Sequence, residues 1–145
     1  MNTKPSITYI KDNKIKKITI NKLNNILVIQ KLIKDIYSKK IYFIHFKNYD
    51  FTTNPICFNF SNNDLEIILE NCTFSNMNFC NYNSLKIINP KTPEDIYLFL
   101  EKIKTIIIEF NNNENKINLE VKNSDNLLIK SSKKAKNIDL LLNNI

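Results

Sequence analysis

No glycine occurs anywhere in this 145-residue chain. Glycine enters the left-handed backbone region without steric cost, so phosphate-cradling loops, dinucleotide fingerprints and nucleophile elbows all depend on it. A chain without it is not built around any of those, and another residue must make every sharp reversal. Asparagine is the natural substitute, because it tolerates positive φ better than any residue except glycine. The chain holds 26 asparagines. Short apolar runs separated by Asn-rich breaks therefore read as strands and turns.

Arginine is absent as well, and all 21 basic residues are lysine. That removes the planar fork used for bidentate carboxylate, phosphate and guanine contacts. Apolar residues make up 43% and charged residues 24%, as in an ordinary globular protein. The skew towards Lys, Asn and 25 Ile, with one Ala and no Trp, matches an A/T-rich coding bias. The length suits a single domain over 1–145. Residues 1–47 carry eleven Lys against Asp12 and Asp35, a net of +9. Residues 48–101 have a net of −5, and residues 102–145 a net of +3. A basic N-terminal third, an acidic middle and a mildly basic C-terminal third follow.

Residues 7–10 and 15–20 read as short strands, the second studded with lysine. The segment 21–40 reads two ways. Ile29, Leu32, Ile33 and Ile36 fit one helical face with Asn25 as a cap, while 26–29 equally suits the start of a strand; a helix over about 25–38 is favoured. The run 41–46 is apolar on both faces, as in a central, doubly covered strand. Further short strands are expected over 56–60 and 65–69, separated by a turn at 61–64, and over 85–88, 105–110, 117–121, 127–129 and 138–142. The spacing predicts a second helix over 93–103. Thr92 would cap it, Pro93 would open it, Glu94 and Asp95 would complement its dipole, and Ile96, Phe99, Leu100 and Ile103 would form its apolar face.

A local five-residue period runs through 70–84. Asn71, Asn76 and Asn81 share one position, Phe74 and Phe79 another, and Cys72, Met77 and Tyr82 a third. A looser echo places Asn48-Tyr49-Asp50-Phe51 23 residues before Asn71-Cys72-Thr73-Phe74. This stretch resembles pentapeptide-repeat and right-handed β-helix proteins, whose coils stack and bury one residue type at each corner. The resemblance covers about fifteen residues. The fold class expected is β-rich (α+β): an irregular β-solenoid-like stack of short strands with one or two short helices.

Chemistry-bearing residues are few. His45 is the only histidine, on a strand face expected to hold Ile41 and Phe43 as well, and reads as a packed histidine. Two-histidine metal sites are out. Cys57, Cys72 and Cys80 lack the close pairing of structural zinc sites and read as buried free thiols of a reducing compartment. Glu66 and Glu70 read as a solvated strand edge. No metal and no cofactor is expected, and no catalytic residue is assigned. No stretch approaches the ~18 apolar residues of a membrane span, and residues 1–14 lack the apolar run of a secretory signal, so a cytoplasmic setting without membrane contact is expected.

The lysines remain. Lys11, Lys14, Lys16, Lys17, Lys22, Lys31, Lys34, Lys39 and Lys40, with Tyr9 and Tyr37 among them, form one cluster. Lys130, Lys133, Lys134 and Lys136 form a second. Lysine offers a hydrated point charge that neutralises phosphates but reads bases poorly. The expectation is a non-enzymatic protein that binds a larger protein or nucleoprotein complex through a lysine-rich face and blocks it stoichiometrically. Short A/T-biased chains with no catalytic constellation resemble accessory proteins of phages and mobile elements, including inhibitors of host defence such as anti-CRISPR inhibitors of RNA-guided nucleases. The alternatives are a free-standing RNA- or DNA-binding module contacting the nucleic-acid backbone, and a small hydrolase or nuclease using His45. The sequence leaves the oligomeric state open.

Overall fold

The computed structural model describes residues 4–20, 25–53, 55–111, 115–132 and 138–145, with the side chains of all but Asn25 and Ile26. Its elements, in chain order, are β1 (Ser6–Lys11), β2 (Lys14–Thr19), α1 (Asn25–Tyr37), β3 (Ile41–Lys47), β4 (Phe58–Glu70), β5 (Met77–Ile88), β6 (Ile96–Phe110), β7 (Ile117–Lys122), β8 (Asn126–Ser131) and β9 (Ile138–Asn143). From β3 onward every pairing is parallel, and successive strands stack as coils of a β-solenoid-like body of about four turns.

The repeat is read directly from the register. Phe58, Phe79, Leu100, Val121 and Leu142 stack in one column, each 21 residues after the last. They belong to a first wall made by 58–60 of β4, 77–80 of β5, 96–101 of β6, and by β7 and β9. The second wall stacks β3 on the later halves of β4, β5 and β6 and ends at β8. Its core columns are Ile44–Ile67–Leu85–Ile106–Leu127 and Phe46–Leu69–Ile87–Ile108–Ile129. A short third wall is marked by parallel bridges from Asp50 to Thr73 and from Thr73 to Lys91. The 23-residue echo in the sequence is this stacking of Asp50 on Thr73. Cys72, Phe74, Met77, Phe79 and Tyr82, the apolar positions of the five-residue period, are all buried.

Asparagine makes the corners. Ser61, Asn81, Lys102, Asn123 and Asn144 take φ of 49–69° where the first wall ends, and Asn48, Asn71 and Asn89 take 50–57° where the second wall ends. Of eleven positive-φ residues described, seven are Asn. Stacked corner amides hydrogen-bond to each other, Asn89 Nδ2 to Asn71 Oδ1 at 2.9 Å and Asn144 Nδ2 to Asn123 Oδ1 at 3.1 Å. Each such bond adds a modest net stabilisation of about 0.5–1.5 kcal/mol.

The core changes character along the axis. Aromatic rings fill the first coils, where Phe51 meets Phe46, Phe58 and Phe74 edge-on at 5.7, 5.4 and 5.8 Å between centroids. Isoleucine and leucine fill the later coils. The first coil is covered at its open end by α1, which buries Ile29, Leu32 and Ile36 at the helical spacing the sequence shows. The helix closes with Lys39 at φ 61° and bonds from Lys39 N to Ile36 O and Lys40 N to Asp35 O, a Schellman-type end. Beside it, β1 and β2 form a hairpin turned by Asp12 and Asn13, both at positive φ, and β1 extends the second wall antiparallel to β3.

Several expectations are corrected. Residues 93–103 are not helical, because β6 runs from Ile96 to Phe110. Ile96, Leu98 and Leu100 alternate into the core, and the corner at Lys102 then shifts the phase so that Ile103 also points inward. That shift imitates helical spacing. The residues read as caps serve the next coil instead. Thr92 Oγ1 accepts the Asn115 backbone N–H at 3.4 Å, its carbonyl accepts Asn115 Nδ2 at 2.6 Å, and Asp95 Oδ1 accepts the Lys116 N–H at 2.9 Å. The strands expected over 56–60 and 65–69 are one strand, β4, bent at Ser61. The strand β3 is central but covered on one side only: Phe43 and His45 lie half-exposed on its outer face, whereas Ile41 is turned inward beyond a bulge between Ile10 and Lys11.

Candidate basic interface

The N-terminal cap gathers most of the lysines predicted to act together. The strand β2 is the outermost strand of the second wall, and its Lys14, Lys16 and Lys17 are exposed. Edge lysines of this kind also keep a sheet from pairing with other chains. The exposed surface of α1 carries Lys31 and Lys34, and the turn after it carries Lys39 and Lys40. One contact ties the hairpin to the helix and another ties it to β3. Lys11 Nζ meets Asp35 Oδ2 at 2.9 Å, and Tyr42 Oη donates to Asn13 Oδ1 at 2.9 Å. The Asp35 carboxylate beside it holds the Lys11 ammonium above the usual lysine range. Lys11 is thus committed to the fold. Among the described residues Lys14, Lys16, Lys17, Lys31, Lys34, Lys39 and Lys40 have no carboxylate partner.

The outer face of the hairpin adds a small cleft of about 140 Å³, lined by Lys4, Ser6, Lys17, Thr19, Lys47 and Asn48. The register explains it. Ser6 pairs with both Thr19 and Lys47, which sets these side chains on one side of three adjacent strands. Among the described residues no carboxylate lines the cleft, and Glu70, opposite Lys47 in the register, is engaged by His45. Three ammonium groups and two hydroxyls around a shallow hollow suit a phosphate or carboxylate oxygen. Lys4 and Lys47 were missed by sequence reasoning. The signal that finds them is pairing, because neither lies in a lysine-dense run.

Tyr37 is half-exposed among the cap lysines, packs edge-on against Phe60 at 5.8 Å and donates to the Asn59 carbonyl at 2.8 Å. Tyr9 is partly buried against the core and contributes packing. Lys130, the described member of the second cluster, does not join the first. Lys130 sits on β8, beyond β1, β3, β4, β5 and β6 from β2, roughly 29 Å away at normal strand spacing. It lies 3.5 Å from Glu109. Lys22, Lys133, Lys134 and Lys136 lie outside the described residues.

His45 Nε2 is 3.0 Å from Glu70 Oε1 on the outer face of the second wall, between Thr8 and Ile68 in the register. Cys72 is buried and its thiol donates to the carbonyls of Phe46 and Glu70, each at 3.5 Å; burial pushes it up to about 12. Burial also raises the half-buried Cys80 thiol. Cys57 is exposed, contrary to expectation, because it precedes β4 on the outer side of the first wall. No group of three His, Cys, Asp or Glu among the described residues is placed to hold a metal, and no helix described is long and apolar enough to cross a membrane. Comparison of the chain with family models, with curated proteins and with solved structures returned no match.

Proposed function

We propose that this protein is a non-enzymatic interaction protein that engages a larger, polyanionic partner through its N-terminal cap. The observation that carries the reading is the convergence of Lys4, Lys17 and Lys47 with Ser6 and Thr19 on a cleft with no carboxylate among its described lining residues, in a cap whose Lys14, Lys16, Lys31, Lys34, Lys39 and Lys40 also lack acidic partners among the described residues. Ammonium groups attract phosphate and carboxylate surfaces over about a Debye length and release counterions on contact. The solenoid-like body, stiffened by its stacked corners, serves as the handle. Local likeness to pentapeptide-repeat proteins supports such a scaffold role. Binding one copy to a nucleoprotein or nuclease and covering its anionic groove gives stoichiometric inhibition, as in counter-defence proteins of phages and mobile elements.

A second reading, a free-standing nucleic-acid module, is favoured by Tyr37 and Tyr42, whose rings are exposed beside the same lysines and offer surfaces on which bases stack. A binding titration at two salt concentrations, with generic RNA and DNA and with proteins captured from the native host, separates the two. Protein-dependent capture with weak generic binding supports the first reading. Tight, salt-steep binding to any single strand supports the second. Turnover of a substrate by the purified protein, lost on His45→Ala, overturns both.

A further inference from the structure

The two ends of the solenoid are built differently. At the N-terminal end the core is roofed by α1 and the edge strand β2 is lined with lysines. At the other end β9 closes the first wall, and no described strand lies beyond it. The core columns simply continue into the open. Leu98, Leu119 and Leu140 stack, as do Leu100, Val121 and Leu142, and the first two members of each column are fully buried while Leu140 and Leu142 are about half exposed. Leu141 is 61% exposed on the outer side, and Leu128 on β8 and Ile145 are exposed as well. Half of the large exposed apolar side chains described fall in these last twenty residues. Stacked-coil proteins need a polar cap where the stack stops, and an unpaired apolar edge strand is a template for another strand.

We propose that the β9 edge pairs with the β9 edge of a second copy of this chain, antiparallel about a two-fold axis at Leu141. The register is self-complementary. Leu141 meets its symmetry mate, Leu140 faces Leu142 on the core side, and Asp139 faces Asn143 on the outer side. Directly opposed residues point to the same face of an antiparallel pair, so the core side of one wall continues into the other. Each carboxylate meets an amide that can donate to it, and no like charges oppose each other. Asp139 is already neutralised by Lys116 at 2.9 Å. The competing head-to-tail arrangement sets β9 against β2, where Lys14, Lys16 and Lys17 stand in place of leucines. It would also build open filaments rather than a closed pair.

The test uses the full chain in analytical ultracentrifugation and a symmetric cross-link. The wild type sediments as a dimer at micromolar concentration. Leu141→Lys places two ammonium groups side by side at the axis and gives a monomer with unchanged far-ultraviolet circular dichroism. With Cys57→Ser as background, Leu141→Cys forms an intermolecular disulfide under mild oxidation, while Leu128→Cys does not. A wild-type monomer throughout that range, a Leu141→Lys dimer, concentration-dependent filaments, or cross-linking at Leu128→Cys alone overturns the proposal.

Discussion

Asn62 donates its side-chain amide to the carbonyl of Ile36 at 3.1 Å, which ties the first corner of the solenoid to the last turn of the capping helix. The same amide reaches the Ile41 carbonyl at 3.3 Å, and its oxygen accepts the Asp64 N–H at 3.1 Å. Asn62 is buried, so these groups have no water to fall back on. Asn62→Ala should cost about 1–3 kcal/mol, the desolvation penalty of stranded buried polar groups. Urea denaturation followed by circular dichroism measures it. The exposed neighbour change Asn63→Ala should stay within about 0.5 kcal/mol.

Lys102 occupies a left-handed corner at φ 56° in a column otherwise made of Ser61, Asn81, Asn123 and Asn144. Lysine gains nothing there, since its side chain is exposed. Replacing it with the column's majority residue, Lys102→Asn, should stabilise the protein by about 0.5–1 kcal/mol, whereas Lys102→Val should destabilise it by at least about 1 kcal/mol. Thermal melts of the two variants should move in opposite directions.

Alkaline pH should weaken the fold through Cys72 and Tyr49. Burial raises the Cys72 thiol from 9.0 to about 12, and burial together with Cys72 and Asp50 raises the Tyr49 hydroxyl from 10.0 to about 12. Both groups hold their protons more tightly when folded. The unfolded chain releases them first, so their contribution to stability is constant below about pH 9 and falls from there towards pH 12. Tyr49 Oη and Tyr82 Oη also lack hydrogen-bond partners among the described residues. Tyr49→Phe should therefore be neutral or stabilising at pH 7 and should flatten the alkaline loss, as read from melting temperature against pH.

Reversing the cap charges tests the interface. Lys14→Glu, Lys16→Glu and Lys17→Glu lie on an exposed edge strand and should leave the melting temperature within a few degrees of wild type. Binding to the anionic partner should drop, and for a duplex the slope of log affinity against log salt should shrink by about 0.9 for each phosphate that is no longer neutralised. The same reversal at Lys130, at the far end of the second wall, should leave binding unchanged.

Legibility in the sequence followed the range of the interactions. The two short strands 7–10 and 15–20, the helix over 25–38 and the strand at 41–46, though not its cover on one side only, were readable, because each is set by local periodicity and turn chemistry. So was the Asn-for-glycine logic of the corners. The segment 93–103 was not, since helix and bent strand place apolar residues at the same spacing when a corner intervenes, and only the partner coil decides between them. The continuity of β4 through 61–64 was hidden for the same reason. The register of Asn81, Lys102, Asn123 and Asn144 at 21-residue intervals was the signal that would have exposed both. At the interface, the lysine-dense runs were visible, but Lys4 and Lys47 are brought to the cleft only by strand pairing, and the separation of Lys130 from the cap follows from the number of coils between them.

That number of coils is itself adjustable. Each turn after the first touches only the turns before and after it, and the 21-residue step leaves both extremities in the same phase whenever a whole turn is gained or lost. Excising 89–109 joins Ile88 to Phe110, with Ile88 standing in the place that Glu109 held. Duplication or loss of such a unit in the gene would lengthen or shorten the molecule by one strand spacing, about 4.8 Å, while the roofed end and the leucine end stay as they are. The architecture is a ruler graduated in turns, on which the distance between the two ends can vary without redesigning either.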